Sequence, residues 1–244
     1  MKKYLLIVIY LIFGKLLLAQ TVLLHEKISD YDFDVPKRGP NFRHFNHLFI
    51  GFAFYVPENV ENEIETKPGS TTTLAVGWRY KFKLTNWFAI GAGINYTNDV
   101  FNLTQNENKQ VPNNIIHERE KLRLNNLGPD FYLRFNFGKR GNVVGRFLDL
   151  GGYANWIFRA KDIYLDELDK TMPPYKAGKQ RVILSDLDYI EPFHFGVRGR
   201  LGLNRFVLTA SYRMTDILTQ EYKDEVGDFF LPRLNVGLEI GLHK

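Results

Sequence analysis

Residues 193–215 read Phe193-His-Phe-Gly-Val-Arg-Gly-Arg-Leu-Gly-Leu203, then Asn204-Arg205, then Phe206-Val-Leu-Thr-Ala-Ser-Tyr-Arg-Met-Thr215. Apolar residues alternate with polar residues and glycines on both sides of the short Asn204-Arg205 turn. Alternation with a period of two around a tight turn predicts a β-hairpin. Each strand has about ten residues, which is the length that crosses a bilayer at a tilt.

The two faces of this hairpin predict its surroundings. One face is aromatic at its ends and aliphatic in the middle, as expected of a wall that faces lipid between two interfacial girdles. The other face carries Arg198, Arg200 and Arg213 among glycines, which suits a narrow barrel lumen. The hairpin is therefore interpreted as two strands of a transmembrane barrel.

Composition excludes several other classes of protein. No apolar run beyond the N-terminus approaches 18 residues, which excludes a helical membrane protein. Removing Lys2, Lys3 and Lys15 from the 32 basic residues leaves 29 against 27 acidic residues, so the net charge falls from +5 to +2 and a nucleic-acid partner is not expected. The chain has no cysteine, which excludes a lipoprotein anchor, disulfides and a thiolate zinc site.

The N-terminal region predicts export. A basic start, an apolar run and Leu18-Ala19 before Gln20 predict a signal peptide at residues 1–19, because Lys15 interrupts the run too early for a membrane anchor. Residues 20–46 have no sustained period and are expected to form a periplasmic segment, either passive or a docking peptide. His44 and His47 are a weak candidate metal pair without a third ligand, and no metal or cofactor is expected.

Residues 47–244 are predicted to form eight strands. Their approximate bounds are 48–56, 73–83, 88–96, 122–137, 143–158, 193–203, 206–215 and 234–242. The connections alternate between long and short, as in bacterial outer-membrane barrels with long outer loops and short periplasmic turns. A phase slip near Gly128-Pro129 predicts a bulge in the fourth strand. A soluble β-sandwich or lipocalin-like barrel is the alternative, but its outer face should be polar. We therefore expect an all-β, eight-stranded antiparallel transmembrane (outer-membrane) β-barrel.

The alternation assigns residues to the two sides of the wall. The expected lipid-facing and girdle residues are Phe54, Trp78, Phe82, Trp87, Tyr96, Phe137, Trp156, Phe193, Phe206 and Tyr212. The expected lumen charges are Arg79, Lys81, Arg134, Asp149, Arg198, Arg200, Arg213 and Glu239. Eight strands enclose a space that side chains fill, so these charges predict an ion-pair network rather than a pore. The excess of cations could instead attract an anion.

The sequence gives only weak evidence for catalytic or metal-binding residues. His194, Ser211 and Glu239 are predicted to point inward, but the hairpin register places His194 four rungs from Ser211, about 13 Å at ~3.3 Å per residue. A general base must lie within hydrogen-bond reach of its nucleophile, so we expect no enzyme. Asp162, Asp166, Glu167 and Asp169 lie in an expected loop at about 160–188 and could bind a divalent cation, although a solvated acidic loop is the simpler interpretation.

From leader to last strand the chain resembles the PorT-like small outer-membrane β-barrels of Bacteroidota. The resemblance is carried by the leader end Leu18-Ala19-Gln20 and by the glycine-rich strands Ala89–Tyr96, Phe147–Trp156 and Leu234–Leu242. The chain departs from such barrels by ending in His243-Lys244 instead of an aromatic residue. The resemblance implies a role in type IX protein secretion.

The expected function is a non-enzymatic accessory or scaffold subunit of a protein secretion (type IX-like) or outer-membrane assembly machine. Its partners would be outer-membrane lipid and other outer-membrane or periplasmic proteins of the complex. The alternatives are a stand-alone surface-binding barrel and an outer-membrane lipid-modifying enzyme. A pull-down distinguishes the first role from a barrel that purifies alone.

Overall fold

The computed structural model describes residues 38–58, 60–138, 141–167 and 178–243. The predicted signal peptide and most of the predicted periplasmic segment lie outside these residues. The strands are β1 His44–Val56, β2 Thr72–Lys83, β3 Phe88–Leu103, β4 Arg119–Phe137, β5 Arg146–Glu167, β6 Lys179–Ser185, β7 Phe193–Leu203, β8 Phe206–Arg213 and β9 Leu234–Leu242, and helix α1 is Gln220–Val226. Within the described ranges, no helix combines the length and apolarity needed to cross a membrane.

Eight of the strands form a closed antiparallel ring. Its order is β1, β2, β3, β4, β5, β7, β8 and β9, and β9 returns to β1 through pairs from Leu48↔Leu242 to Val56↔Leu234. The ring gives each wall strand a neighbour on both sides, which is how β structure satisfies its backbone hydrogen bonds in lipid. The predicted eight-stranded antiparallel transmembrane barrel is confirmed.

The outer wall is apolar, and the predicted girdle residues lie on it. Phe82 is half-buried, and the exposed members are Phe54, Trp78, Trp87, Tyr96, Phe137, Trp156, Phe193, Phe206 and Tyr212. Exposed leucines, isoleucines and valines fill the wall between them, such as Leu133, Leu150 and Leu208. A continuous apolar wall of this kind is stable only when it is covered by lipid.

Four long connections lie at one end of the barrel, here called the outer end, and they are β1–β2, β3–β4, β5–β7 and β8–β9. The three short turns, β2–β3, β4–β5 and β7–β8, lie at the other, the inner end. β1 begins at His44, slightly before the predicted boundary at residue 47. Residues 38–43 lie at the inner end, where the Pro40 carbonyl accepts a 2.5 Å hydrogen bond from Lys81 Nζ and Asn41 Nδ2 donates to the Gly141 carbonyl at 2.9 Å.

The bulge predicted in the fourth strand is wrong. Buried even-numbered residues run through β4 without a break, so Leu122 and Leu124 point inward with Asp130 and Arg134. Leucines are found inward because the upper lumen is apolar, not because the phase of the strand changes. The irregularity lies in the neighbouring strand β5. Asn125 pairs with Arg159 and Asn126 pairs with Ile157, so Phe158 of β5 is an extra residue without a partner on β4.

The predicted loop at 160–188 is also wrong in part. β5 continues to Glu167 and pairs with β6 from Lys161↔Ser185 to Glu167↔Lys179. This hairpin projects beyond the ring at the outer end, together with the outer parts of β3 and β4. The long connection after β8, predicted as a loop, contains α1. These segments escaped prediction because, outside lipid, polar residues occupy both of their faces.

Candidate functional site

The inner end of the lumen is filled by one ion pair on an apolar base. Arg134 and Asp149 are direct cross-strand partners, and the guanidinium donates two 2.7 Å hydrogen bonds, from Nε and Nη2, to the two carboxylate oxygens. The Arg134 guanidinium also lies 3.7 Å from the ring centre of Phe147. Phe147 belongs to a buried cluster with Phe45, Val144 and Val207. This layer closes the inner end.

A second charged layer crosses the middle of the barrel. Glu239 accepts a 2.7 Å hydrogen bond from Arg79 Nη2 and lies 3.8 Å from Arg200 Nε. Arg200 Nη2 donates in turn to Asp130 at 2.5 Å, and Asn95 Nδ2 donates to the other oxygen of Asp130 at 2.8 Å. The network joins β2, β3, β4, β7 and β9. Buried charges persist only when they are paired in this way.

Asp130 and Asp99 are lumen acids that the sequence interpretation missed. Asp99 accepts hydrogen bonds from Thr73 Oγ1 and Asn126 Nδ2, both at 2.7 Å. The third strand is predicted to end at residue 96, which leaves Asp99 outside it, whereas β3 continues to Leu103. Both acids follow the inward phase of their strands, so extending the alternation would have found them.

Between the charged layer and the outer end lies a cavity of about 40 Å³. A buried water needs about 10–15 Å³ of such volume, so the cavity has room for no more than a few waters. It is lined by polar side chains, among them Asp99, Tyr153, His194, Arg198 and Ser211. The Arg198 guanidinium lies over the ring of Tyr153 at 4.7 Å. Pockets for organic ligands are about 300–1,000 Å³, so this cavity is too small to bind an organic ligand.

The three candidate catalytic residues line this cavity but do not form a triad. The hairpin register is as predicted, with Arg198 opposite Ser211. His194 Nε2 contacts Asn155 Nδ2 at 3.3 Å, and Glu239 is held by the arginines described above. Within the described part of the chain, none of the three is hydrogen-bonded to another. The arrangement therefore lacks the nucleophile–base contact that covalent catalysis needs.

Arg213 connects the lumen to the outer end. Its guanidinium is buried, and it donates to the backbone carbonyls of Thr215 at 3.1 Å, Leu231 at 2.8 Å and Pro232 at 3.3 Å. A charged donor to three carbonyls fixes both ends of the connection between β8 and β9. Arg213 is therefore an anchor for the outer end rather than part of the central ion-pair network.

The outer end is closed by an apolar cluster, here called the outer cap. All four long connections contribute to it, and its buried members are Ile64, Phe101, Leu103, Val111, Leu122, Leu124, Ile157, Ile190, Ile217, Leu218 and Leu231. Loops from opposite sides are joined directly, as where the Tyr222 hydroxyl of the β8–β9 connection donates to the Pro112 carbonyl of the β3–β4 connection at 2.8 Å. Core packing of this kind makes the connections one folded surface over the outer end of the described barrel.

Ion pairs support the cap next to α1. Lys223 contacts Asp216 at 2.5 Å and Asp228 at 2.8 Å, and Arg233 also contacts Asp216. Partial burial would raise the pKa of Asp216, but the hydrogen bond from Lys223 and the charge of Arg233 outweigh it and hold that pKa below its usual range. Asp216 therefore stays ionised and ties α1 to the base of β9.

The residues of the possible cation site are separated. Asp162 is 2% exposed, so the predicted solvated acidic loop is wrong for it. Asp166 accepts from His117 Nδ1 at 2.9 Å, Glu167 lies 3.6 Å from Lys179 Nζ, and Asp169 lies outside the described residues. In the described ranges no three His, Cys, Asp or Glu side chains are placed to hold a metal ion.

Asp162 instead lies beside a second buried acid in the cap. Burial and the charge of Glu120 raise its pKa to about 6, against the opposing charges of Lys109 and His117. Lys109 Nζ contacts Glu120 at 2.6 Å, and Asp162 Oδ1 has no hydrogen-bond partner in the described structure. One lysine therefore serves two buried carboxyl groups, which favours a proton on Asp162.

The two candidate metal histidines lie on opposite faces of β1. His44 is on the outer face, where its Nδ1 is 2.6 Å from the Tyr80 hydroxyl. His47 is on the inner face, stacked on Phe45 at 5.0 Å and facing the ring of His243 at 5.4 Å. The structure therefore does not bring His44 and His47 together.

The chain matches no protein-family model, and no curated protein is similar enough to count as a match. One solved structure to which it is similar is Ail, the attachment invasion locus protein of Yersinia pestis, in complex with the heparin analogue sucrose octasulfate. The identity is 12%, the match covers 80% of this chain and 94% of that chain, and the TM-score is 0.33. The protein's own strand ring, apolar wall and filled lumen define a small membrane-spanning β-barrel, the class of fold that outer membranes contain.

Proposed function

We propose that the protein serves as an accessory or scaffold subunit of a protein secretion (type IX-like) or outer-membrane assembly machine. In this proposal it is a non-enzymatic barrel of the outer membrane and is exported by its N-terminal signal peptide. The observation that supports this is the closure of the barrel at both ends. A filled lumen and a cavity of about 40 Å³ leave the surfaces as the parts that meet other molecules.

Three surfaces are available to partners. The outer cap is held together by its own core, so it presents one folded face. The inner end presents residues 38–43 and the short turns, on the side where periplasmic subunits would lie. The wall between them contacts lipid or a larger barrel. The resemblance of the glycine-rich strands to the PorT-like group points to secretion as the process.

The experiment is recovery of the full chain from outer membranes in mild detergent, with an affinity tag inserted after Gly69. This glycine is exposed, has a positive φ of 75°, and a Cβ there would meet no atom within 4 Å. An unrelated eight-stranded barrel with the same tag is the control. Stoichiometric recovery of a larger barrel or a periplasmic secretion subunit is the expected result. Recovery of the barrel alone would overturn the role as a stable subunit.

A second candidate function is a stand-alone barrel that binds ligands or other cells through its outer surface. The observation that favours it is the free edge of β6, whose one strand neighbour in the described sheet is β5. Ile183 and Leu184 of β6 are 47% and 44% exposed. An exposed apolar edge strand is a ready site for pairing with another chain.

The test compares two matched pairs of substitutions. I183S/L184S changes the β6 edge, whereas I115S/I116S changes two equally apolar residues of the β3–β4 connection that are 58% and 54% exposed. Cells displaying each variant are compared for adhesion to each other and to immobilised extracellular proteins. Loss of adhesion in the β6 variant alone supports the second candidate, and absence of adhesion by the wild type removes it.

A further inference from the structure

A cluster of cations covers the outer face of the sheet that projects beyond the ring. We call it the basic patch and define it as Lys121, Arg123, Arg159, Lys161 and Arg181. Strand register brings these residues together on one face. Arg123 of β4 is the direct partner of Lys161 of β5, and Asn125 pairs with Arg159 one row below. In the rows above, β6 adds Arg181 opposite Leu165.

The basic patch has no acidic partners in the described part of the chain. None of its five cations lies within 4.0 Å of a carboxylate there, although other described cations such as Arg79, Lys109 and Lys223 do. Partial burial and the charges of Arg123 and Arg181 lower the pKa of Lys121. Protein surfaces normally intersperse the two signs of charge, so like charges held together here point to an external anion.

The position of the patch identifies that anion. The last apolar pair of the wall below it is Leu127↔Trp156, and the next pair is Asn125↔Arg159. The irregularity at Phe158 leaves both Phe158 and Arg159 exposed on the outer face. Two residues of a strand tilted by ~40° rise by about 5 Å. Arg159 therefore lies about 5 Å above the apolar wall, and Lys161 about 10 Å above it.

Arg159 is thus at the height of the headgroup layer of the outer leaflet, and Lys161 and its partner Arg123 lie a few ångströms above that layer. The polar headgroup region adds about 5–7 Å to each side of the hydrocarbon, and long basic side chains extend further along a surface toward it. The guanidinium group of arginine can donate two parallel hydrogen bonds to the oxygens of one phosphate. The patch also lies on the tall side of the barrel, where β4 and β5 have 19 and 22 residues, so it faces sideways into the membrane surface.

We propose that the basic patch binds the phosphate groups of outer-leaflet lipid headgroups and thereby fixes the depth and orientation of the projecting sheet. The inference depends on the barrel lying in a membrane and not on the accessory-subunit role. It therefore stands or fails independently of the pull-down described above.

The experiment measures which lipid surrounds Trp156, directly below the patch. The full chain is used in a W78F/W87F background, in which Trp156 is the one remaining tryptophan of the three in the sequence. The protein is reconstituted into phosphatidylcholine vesicles, and quenching by brominated phosphatidic acid is compared with quenching by brominated phosphatidylcholine. The ratio of the two binding constants reports selectivity for a headgroup phosphate monoester.

The matched variants are R159Q/K161Q and K67Q/K179Q, which each remove two positive charges from the outer side. Lys67 and Lys179 are exposed but lie outside the basic patch. One basic residue near an anionic membrane is worth about a factor of five in affinity. We expect R159Q/K161Q to lower the selectivity roughly twentyfold and K67Q/K179Q to leave it unchanged. R159K/K161R, which keeps both charges, should retain most of it, and about 0.5 M salt should weaken it.

Three results would overturn the proposal. The first is absence of selectivity for the anionic lipid in the wild type, and the second is an equal loss of selectivity in both charge variants. The third is patch-dependent binding of a soluble sulfated polysaccharide without any selectivity among lipids. The shift in mobility of the folded barrel on unheated gels checks that each variant is folded before its lipid selectivity is measured.

Discussion

Breaking the buried ion pair between Arg134 and Asp149 should cost a large part of the stability of the barrel. Both side chains are 1% exposed, so neither charge has water to replace its partner. Two opposite charges ~4 Å apart at an effective dielectric constant of ~20 attract by about 4 kcal/mol. Removing one member of a buried pair costs about 3–5 kcal/mol in measured cases. We expect R134M and D149L each to lower the free energy of unfolding by that amount.

Replacing both residues should cost much less than either single change. In R134M/D149L no uncompensated charge remains, and the two introduced side chains, a methionine and a leucine, are apolar like the cluster of Phe45, Val144, Phe147 and Val207 that closes this end. We expect the double variant to lie within about 2 kcal/mol of the wild type, which gives a coupling free energy of about 4 kcal/mol or more.

The assay is urea unfolding in lipid vesicles, followed by the fluorescence of the lipid-facing tryptophans and by gel mobility of unheated samples. The double-mutant cycle separates the pair from the cost of the individual side chains. Single variants that each lose less than about 1 kcal/mol, together with an additive double variant, would refute the reasoning. That outcome would mean that water reaches the pair in the folded barrel.

Three further predictions concern the cap and the wall. D162N should raise the free energy of unfolding at pH 7 by about 3 kcal/mol. Between about pH 4 and about pH 6, Asp162 keeps its proton in the folded wild type but loses it in the unfolded chain. The stability of the wild type should therefore fall as the pH rises through this window, while the stability of D162N stays level. G151A should destabilise the barrel by several kcal/mol in urea unfolding, because its Cβ would overlap a backbone carbonyl of β4, whereas G152A points outward and should be neutral. R213M should increase proteolysis near Leu231 without unfolding the ring, since it frees the connection after β8 from the lumen.

The wall could be predicted from the sequence because lipid imposes a strict period on it. Each lipid-facing strand alternates between an apolar outer face and a smaller or polar inner face, and a shift by one residue would exchange the two faces. The Asn204-Arg205 turn then fixed the register of the last hairpin, with Leu203 opposite Phe206 as expected. Eight strands and the order of long and short connections follow from those patterns alone.

The cap could not be predicted because the same rule ends at the membrane surface. Leu122 and Leu124 point inward there, since the cap has a core of its own, and this was mistaken for a change of phase in β4. β6 is exposed along almost its whole length, on both faces, so no alternation marks it. Pairing of Asp130 with Arg200 also needed the three-dimensional neighbourhood, because these residues are far apart in the chain and on strands that are not neighbours in the ring.

Glycines explain how so narrow a lumen accepts such large side chains. Inward-facing glycines stand directly across from a large inward side chain on the neighbouring strand, and the pairs are Phe49↔Gly77, Gly91↔Tyr132, Gly93↔Asp130, Tyr153↔Gly196 and Phe147↔Gly202. A Cβ added at any of these glycines would overlap the side chain opposite it. The glycines that looked like lumen lining in the sequence are therefore spaces already occupied by neighbouring residues.

This packing has a consequence for function. Large side chains lie across the lumen over glycines. Arginines reach acids on distant strands, so the charged side chains fill the barrel and cross-link its strands. Arg213 extends the same bonding into the connection after β8, and the apolar cap completes the closure. A barrel built in this way holds its outer surface in one arrangement, and the cations of the basic patch lie outside the ring, on the sheet that projects beyond it. The proposed partner surface thus depends on a lumen that is filled.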